Sequence, residues 1–474
     1  MPRVLYFFAL CNLVIGSGAV GLAFADTLLQ ETDARIAIVD RHGKPGGHWN
    51  DAYAFVSLHQ PSAFYGVNSL PLGSNRKDTV GVNAGLYELA SGSEVSGYFD
   101  AVMRQCLLPS GRVSYHPLCD YLGDGRFVSV LSGEETQVRV ARKTVDATFF
   151  GTSVPATHTP RFLVFDGVNL VPPNALAQLW IKPAAQRPQR FVIVGAGKTA
   201  MDVGVWLMGS GARPESLHWV VPRDSWLLNR RHTQPGLEFF QETLGGQAAQ
   251  MEAFATASSL DDLFERLEAA GIMLRIDRAV RPSMFHFATM SIGEIESLRR
   301  ITQVTRQGRV QGIDAQGLTL AQGRLEMPAD GTLYIDCTAS AVEPRPGSPI
   351  FQGDRIVPQL VRAPQPAFSA ALIAYVEAHY GDDAIKNELC RTVPFPHELH
   401  QYLACNMANM ANQFRWGQDK PLSRWIRDCR LDGFGKVIAA LSPDDSEKLA
   451  VLGRMRAAAM PAMANLQKLA AQPA

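Results

Sequence analysis

The chain has 474 residues, which is too many for one ordinary hydrophobic core and predicts two or three domains. Hydrophobic residues make up 46% of it and charged residues 19%, as in a globular protein. Lys plus Arg and Asp plus Glu are equal at 45 each, so no net charge favours nucleic acid or an anionic membrane. The composition argues against both partners.

The seven cysteines are scattered and include no Cys-x-x-Cys pair; they are Cys11, Cys106, Cys119, Cys337, Cys390, Cys405 and Cys429. This spacing argues against a disulfide scaffold, a zinc site and a dithiol redox centre, and it predicts a reducing cytoplasm. The apolar run at residues 4–10 is similar to a short signal segment, but it continues into a strand that the first glycine turn requires. We therefore expect no cleaved signal, and no other segment is long and apolar enough to span a bilayer.

Two segments share one pattern, in which an apolar β-branched run is followed by a glycine turn and an apolar-faced helix. The first covers residues 13–29 and leads to a strand at residues 35–39. The second covers residues 191–208 and leads to a strand at residues 217–221. Each unit is predicted as strand, turn, helix and strand, which is the context that a dinucleotide-binding glycine motif requires. The sequence therefore predicts an α/β fold with two Rossmann-like dinucleotide-binding domains.

The first turn has the spacing Gly16-x-Gly18-x-x-Gly21. The first glycine permits the tight turn, the second lets a pyrophosphate approach the backbone, and the third lets the helix pack close to the strand. The helix that starts near Ala19 then offers free N–H groups to the phosphates. Asp40 ends the second strand nineteen residues after Gly21, where a carboxylate accepts hydrogen bonds from ribose hydroxyls.

An N-terminal unit of this kind followed by Gly46-Gly47-His48-Trp49 resembles the two-dinucleotide-binding-domain flavoproteins, which include the flavin monooxygenases. In that family a Gly-Gly-x-Trp segment follows the ribose acid and passes along the flavin. The resemblance spans residues 12–440 and implies that the first unit binds FAD. The residues assigned to the FAD site are Gly16, Gly18, Ala19, Gly21, Asp40, Arg41, Gly47, His48, Trp49, Gln60 and, on the strand whose backbone reads adenine, Val113.

The loop at residues 52–67 is polar, aromatic and rich in Gly and Pro, as a loop over a flat aromatic cofactor would be. In N-hydroxylating members of the family a Leu/Met-Gln pair lies near the flavin, and Gln60 resembles the glutamine of that pair. His59 beside it is either a catalytic group or a structural loop histidine.

The second glycine motif is Gly195-x-Gly197-x-x-Ala200, in which Ala at the third position is an accepted variant. Two dinucleotide sites in one chain imply a permanently held FAD and a visiting nicotinamide nucleotide. Arg223 follows the second strand, where it suits the 2′-phosphate of NADPH, although Asp224 could still bind a ribose. The residues assigned to this site are Gly195, Gly197, Lys198, Thr199, Ala200 and Arg223.

The absence of a dithiol motif argues against a common type of flavoprotein reductase, and an amine oxidase needs no second dinucleotide. The leading interpretation is an FAD-dependent, NADPH-consuming monooxygenase whose dry pocket protects activated oxygen until the substrate arrives. A non-oxygenating NADPH dehydrogenase with an external acceptor would share every nucleotide motif, as would an inactive flavin-binding scaffold. Both alternatives stay open.

The linker between the two units departs from part of the family. Flavin monooxygenases proper and Baeyer–Villiger enzymes carry Phe-x-Gly-x-x-x-His there, whereas His158 follows Gly151 after seven residues instead of four. This spacing weakens a ketone-oxidising assignment. With Gly-Gly-His-Trp and Leu58-His59-Gln60-Pro61-Ser62, the chain looks more like bacterial enzymes of secondary metabolism that oxidise amino groups, including those converting aspartate to nitrosuccinate. The resemblance implies N-oxygenation of a small amine or amino acid.

Substrate-side groups are predicted in two places. Arg230 and Arg231 could clamp a carboxylate, and Lys386 and Asn387 lie in the last third of the chain, which folds back over the flavin in such enzymes. The alternative for each is an ordinary surface position. The predicted catalytic set is His59, Gln60, Arg230, Arg231, Lys386 and Asn387.

Proline-rich stretches predict where the chain crosses between domains. We expect the first part of a discontinuous FAD domain at residues 1–170 and an NADPH domain at residues 171–330, with a helical insertion at about residues 236–298. Residues 302–325 alternate short apolar runs with Gly and are predicted as β-hairpins. The second part of the FAD domain and C-terminal helices would occupy residues 331–474, since residues 336–339 resemble a strand end at which the chain returns to the FAD domain. The expected partners are a small-molecule substrate and dioxygen, and a homodimer is left open.

Overall fold

The computed structural model describes residues 9–472, so most of the apolar run at residues 4–10 lies outside the described residues. The α-helices are α1 Ala19–Glu31, α2 Gly92–Ala101, α3 Leu176–Ile181, α4 Lys198–Gly209, α5 Phe240–Thr256, α6 Leu260–Ala269, α7 Ile292–Leu298, α8 Pro366–His379, α9 Asp383–Leu389, α10 Gln401–Gln418, α11 Lys420–Asp428, α12 Gly435–Ala439 and α13 Ser446–Ala470. In the described part of the chain, no helix combines the length and apolar character that a membrane crossing requires.

The strands are β1 Ala9–Ile15, β2 Ile36–Val39, β3 Val113–His116, β4 Cys119–Gly123, β5 Arg126–Ser129, β6 Glu135–Gln137, β7 Arg139–Asp146, β8 Leu163–Val164, β9 Leu170–Val171, β10 Arg190–Val194, β11 Leu217–Val220, β12 Ser225–Asn229, β13 Met273–Leu274, β14 Met284–Met290, β15 Gln303–Thr305, β16 Val310–Asp314, β17 Gly317–Leu320, β18 Gly323–Glu326, β19 Thr332–Asp336, β20 Phe351–Gln352 and β21 Arg355–Ile356.

The first nucleotide-binding unit is built on a six-stranded sheet in the order β20-β21-β7-β1-β2-β3. β1 runs parallel to both β2 and β7, and its last residue, Ile15, pairs with Val39 and Asp146. β2 and β7 lie on opposite sides of β1. In α/β sheets, ligands bind outside the carboxyl end of a strand at such a point. β20 and β21 come from the second half of the chain, which confirms the predicted discontinuous domain.

The helix of the first glycine turn is held in place by a second, largely buried helix, α8. α1 packs against α8, and Leu22, Phe24 and Leu372 are inaccessible to solvent. A helix that is apolar on all sides must lie inside a protein, and the sequence of α8 is apolar over most of its surface. This packing fixes the direction in which the N-terminus of α1 points.

The second unit is an all-parallel sheet in the order β15-β11-β10-β19-β9. β10 lies between β11 and β19, and its last residue, Val194, pairs with Val220 and Asp336. The predicted pair of Rossmann-like units is therefore confirmed.

Three predicted segments differ in detail from the structure. β19 belongs to the second sheet, so the chain returns to the first sheet only at β20 and not at residues 336–339. The insertion is not purely helical, because β13 and β14 pair with β12 in a small sheet. β16, β17 and β18 form the predicted hairpins, whereas β15 joins the parallel sheet. The predicted C-terminal helix is α13, which packs against α5.

Candidate functional site

The first glycine turn brings two backbone segments into close contact. Gly16 has a φ of +95° and donates its N–H to the carbonyl of Val39 at 2.8 Å. A Cβ on Gly21 would lie 1.9 Å from the carbonyl oxygen of Gly16, so only glycine permits this approach of helix and strand. Gly18 is the N-cap of α1 and offers no capping side chain, which leaves the helix N-terminus open to a ligand.

The Gly-Gly pair that follows packs directly on this turn. Gly46 donates its N–H to the carbonyl of Ser17 at 2.9 Å. A Cβ on Gly47, which has a φ of +57°, would lie 3.0 Å from the Cα of Gly18. The two glycine segments therefore form one narrow backbone cradle, which suits the close approach of a pyrophosphate.

Asp40 lies at the predicted ribose position, and its carboxylate is already well hydrogen-bonded. One oxygen accepts from the backbone N–H and hydroxyl of Ser17, and the other accepts from the backbone N–H and ring Nδ1 of His42. Burial alone would raise the pKa of Asp40, but these hydrogen bonds hold it below its ordinary value. A ribose hydroxyl would have to share or replace one of these four donors.

The segment after the Gly-Gly pair forms an aromatic wall of the cleft. Trp49 donates its indole N–H to the hydroxyl of Tyr65 at 2.7 Å and stacks beside His48, with ring centroids 5.5 Å apart. Burial lowers the pKa of His48 to about 4, so this imidazole is neutral at physiological pH. The wall is therefore uncharged and suits a flat aromatic ligand.

The second glycine turn repeats the geometry of the first. Gly195 has a φ of +124° and donates its N–H to the carbonyl of Val220, while its own carbonyl accepts from the indole of Trp219 at 2.7 Å. Gly197 is the N-cap of α4, and a Cβ there would meet nothing within 4 Å. There is room for a phosphate at this helix N-terminus, whereas Ala200 is buried and packs in the core.

Two neighbouring charged residues after β11, Arg223 and Asp224, have different partners. Arg223 faces the cleft and lies 3.6 Å from a carboxylate oxygen of Glu398 in a partly exposed ion pair. Asp224 accepts two hydrogen bonds from Arg306, at 2.8 and 3.1 Å. Because Arg306 neutralises it, Asp224 is not a free acceptor for ribose.

Lys198 does not extend toward the predicted phosphate position. Its ammonium is hydrogen-bonded to Asp202 one turn along α4, and it lies 3.3 Å from Glu294. Asp202 also accepts the hydroxyl proton of Tyr53 at 2.7 Å. The lysine therefore belongs to a buried charge network beneath the cleft, although part of its side chain lines the cleft.

Arg230 joins the same network. It forms an ion pair with Glu294 at 2.7 Å and donates to the backbone carbonyl of His59 at 2.7 Å and to the side chain of Asn83 at 3.0 Å. Burial alone would raise the pKa of Glu294, but the charges of Lys198 and Arg230 and its hydrogen bonds lower it to about 2. Burial, reinforced by the same two cations, lowers the pKa of His59 to about 3.

The predicted substrate clamp is not supported by the structure. Arg230 is fully buried and bound to internal partners, and Arg231 donates two hydrogen bonds to one carboxylate oxygen of Glu242 and does not line the cleft. Lys386 is paired with Glu377 at 2.6 Å. Asn387 exchanges two hydrogen bonds with the backbone of Phe351, at 2.9 and 2.8 Å. Each group is satisfied within the fold, so none of the four is available to a substrate.

Of two further residues assigned to the FAD site, one lines the cleft and the other does not. Val113 begins β3 and pairs with Ile36, so it lies at the end of the sheet opposite to Asp40 and does not line the cleft. Arg41 lines the cleft and forms an exposed ion pair with Asp120 at 3.3 Å.

The two glycine turns open onto one cleft of about 2340 Å³. Its volume exceeds the several hundred Å³ of an ordinary small-molecule pocket and can hold two dinucleotides. The sequence-predicted residues that line it are Gly16, Gly18, Ala19, Asp40, Arg41, Gly47, His48, Trp49, His59, Gln60, Gly195, Gly197, Lys198, Thr199 and Arg223. Gly21 and Ala200 act from beneath it through packing.

The interdomain linker closes one side of this cleft. His158 lies 3.1 Å from the hydroxyl of Thr338, which follows β19. His158, whose spacing from Gly151 differs from the family pattern, therefore connects the linker that enters the second unit with the segment that leaves it.

Sequence reasoning missed four members of the buried network: Tyr53, Asn83, Asp202 and Glu294. Two of them, Asp202 and Glu294, belong to spacings that the sequence shows. Lys198 and Asp202 have the i, i+4 spacing of a helical ion pair, and Ser291-x-x-Glu294 has the spacing of a capping box, which the structure contains. Neither pattern indicates that the two pairs meet, because that contact depends on the tertiary fold.

Comparisons with known proteins give one family model and one group of curated relatives. Residues 14–72 match the family described as NAD(P)-binding Rossmann-like domain. The chain is 48% identical over 431 residues to the uncharacterized protein Rv2000 of Mycobacterium tuberculosis and to the uncharacterized protein Mb2023 of Mycobacterium bovis, an alignment that covers 91% of this chain and 79% of each relative.

Solved structures with a similar fold include monooxygenases. An open crystal structure of cyclohexanone monooxygenase has a TM-score of 0.47 and 13% identity, with 79% of this chain and 88% of that chain covered. A flavin-containing monooxygenase from Stenotrophomonas maltophilia has a TM-score of 0.44 and 14% identity, with 78% and 97% covered.

The adjacent residues Arg230 and Arg231 allow a buried ion pair to be compared with an exposed one. Arg230→Ala should lower the free energy of unfolding by about 3–5 kcal/mol, because it breaks a buried ion pair and leaves Lys198 as the one remaining cation beside Glu294 among the described residues. Arg231→Ala should lower it by at most about 1 kcal/mol, because its ion pair is exposed to water. Urea unfolding measures both values, and equal losses would contradict this assignment.

Proposed function

The chain belongs to the same family as the mycobacterial proteins Rv2000 and Mb2023, and we propose that it is an FAD-containing, NADPH-consuming monooxygenase. One observation carries the proposal: two helix N-termini, each following an open glycine turn, face a single cleft. Two dinucleotides bound there would lie in one enclosed space, as electron transfer between them requires.

The residues of the first turn fit FAD. Gly18 and Gly47 form the cradle for its pyrophosphate, Asp40 lies at the ribose position, and Trp49 supplies the aromatic wall. When bound, FAD would accept two electrons from NADPH and deliver them to dioxygen. The contribution of the chain is to hold the cofactor, exclude water and place the substrate.

The second turn fits NADPH in preference to NADH. The helix N-terminus at Gly197 receives the pyrophosphate, and Arg223 is the cation at the ribose position. Asp224 is neutralised by Arg306, so this carboxylate would not repel a 2′-phosphate.

For the substrate we propose a small amine or amino acid that is oxygenated on nitrogen. The reacting amine must be unprotonated, and low dielectric and nearby positive charge both favour a neutral amine. His59 and Gln60 line the cleft above Lys198 and Arg230, and the same two influences keep His59 itself neutral. An amine bound beside His59 would meet the same low dielectric, which favours its neutral form.

The cofactor assignment predicts a yellow protein with one FAD per chain. Gly18→Val places a side chain against Gly47 and Asp40→Ala removes the ribose acceptor, so both variants should lose FAD. Gly97→Ala is the matched control, because Gly97 lies on α2 with nothing within 4 Å of its added Cβ. Visible absorbance measures the bound flavin, and full FAD content in both cleft variants would refute the assignment.

The nicotinamide assignment predicts that NADPH is used more efficiently than NADH. Arg223→Ala removes a charge-assisted contact to the 2′-phosphate that contributes about 1.5–3 kcal/mol, so the Michaelis constant for NADPH should rise roughly ten- to hundredfold. The constant for NADH should change little, and the exposed Arg231→Ala serves as control. An unchanged ratio of the two efficiencies would exclude Arg223 as the discriminating residue.

The reaction assignment predicts that amines or amino acids stimulate NADPH consumption only when oxygen is present. The products should be hydroxylamines or more oxidised nitrogen compounds, which mass spectrometry detects. Efficient oxidation of cyclic ketones while every tested amine is inert would contradict N-oxygenation and leave a monooxygenase. Turnover at an undiminished rate without oxygen, with an external electron acceptor, would instead identify a reductase.

A further inference from the structure

Glu294 is a buried carboxylate that contacts two cations at once. It lies near the start of α7, where one of its oxygens is 3.3 Å from the ammonium of Lys198. The other oxygen is 2.7 Å from the guanidinium of Arg230 and accepts the backbone N–H of Ser291 at 2.7 Å. Glu294 does not itself line the cleft, so it is outside the set of groups that a ligand could touch.

The two cations are connected to different segments that line the cleft. Lys198 is the first residue of α4, whose open N-terminus is the proposed NADPH phosphate site. Arg230 donates its Nε–H to the backbone carbonyl of His59, in the loop that also presents Gln60. One carboxylate therefore connects the nicotinamide-binding helix to the loop on the proposed flavin side.

The network is electrically balanced when all four charged members are present. Lys198 and Arg230 carry positive charges, and Asp202 and Glu294 carry negative charges. Because these groups are buried, an unbalanced charge is poorly screened by water, and the remaining groups must move or recruit solvent. The loop at His59 is the part best able to respond, since a single backbone carbonyl connects it to Arg230.

We propose that Glu294 is a positioning residue that fixes the His59–Gln60 loop relative to the N-terminus of α4, and so sets the efficiency of electron transfer from NADPH to the flavin. The inference rests on the proposed function. Charge, and not the volume of the side chain, is what Glu294 supplies.

The test variant is Glu294→Gln, which keeps the length of the side chain and the oxygen that accepts from Ser291 but removes the charge. Glu252→Gln is the control, because Glu252 on α5 forms an exposed ion pair with Arg454 of α13 and has no hydrogen-bond partner among residues 56–60 or 90–92. A general effect of removing a carboxylate that pairs with an arginine would appear in both variants.

The first measurement is hydrogen–deuterium exchange of the purified protein. The backbone N–H of Leu58 donates to the carbonyl of Ala90 at 2.9 Å, directly beside His59. Glu294→Gln should accelerate exchange at residues 56–60 at least about tenfold, as local opening becomes easier, and Glu252→Gln should leave it unchanged. Unchanged exchange in both variants would overturn the proposal.

The second measurement is the rate at which NADPH bleaches the flavin absorbance under anaerobic conditions. Glu294→Gln should lower the limiting rate about tenfold or more, because small displacements between reacting groups are costly, while the dissociation constant for NADPH changes less than threefold. A parallel loss of rate and affinity, or an unchanged rate, would contradict a positioning role. If the protein holds no flavin, the proposed function fails, yet the exchange measurement still decides the role of Glu294.

The double variant Lys198→Met, Glu294→Gln separates charge balance from packing. It leaves one cation and one anion, Arg230 and Asp202, and should restore slow exchange at residues 56–60 toward the unmodified level. It also carries the test by itself if the single variant does not fold. Exchange as fast as in Glu294→Gln would show that packing, and not charge, is what matters, and would overturn the proposal.

Discussion

The contact of Glu294 with Lys198 and Arg230 is the interaction on which the arrangement of the cleft depends. Removing charges from water costs several kcal/mol for each ion, and only close opposite charges and hydrogen bonds compensate for that loss. These three side chains come from α4, from the segment after β12 and from α7, so they meet only when the second unit is fully folded. Since Arg230 also holds the carbonyl of His59, folding of the second unit sets the position of a loop that belongs to the first.

Above this charged layer, the residues that face the cleft are largely uncharged at physiological pH. Burial keeps His48 and His59 neutral, with pKa values of about 4 and about 3. The two glycine turns then supply backbone N–H groups and helix N-termini in place of charged side chains. The cleft thus combines two open helix N-termini with two neutral histidine side chains, which would suit the phosphates and the rings of two dinucleotides.

The sequence predicted the local geometry of the site well, because glycine turns depend on short-range sterics. Gly16, Gly18 and Gly195 lie where their spacing places them, with both helix N-termini facing the cleft. It could not predict that the charged residues assigned to the substrate are paired elsewhere in the fold. Nothing in Arg230-Arg231 shows that the first side chain is buried and the second exposed, since the partners of Arg230 are distant in sequence. Residues 336–339 were assigned to the wrong sheet because the ends of parallel strands look alike in both units.

The central claim is that one cleft holds two dinucleotides whose reactive rings meet between the glycine turns. A crystal structure of the protein with FAD and NADP⁺ tests it most directly. The account predicts the FAD pyrophosphate at Gly18, the NADP⁺ pyrophosphate at Gly197, and the isoalloxazine and nicotinamide rings in van der Waals contact beside the His59–Gln60 loop. A structure in which both turns are filled but the rings lie in separate compartments, or in which one turn binds no nucleotide at saturation, would contradict it.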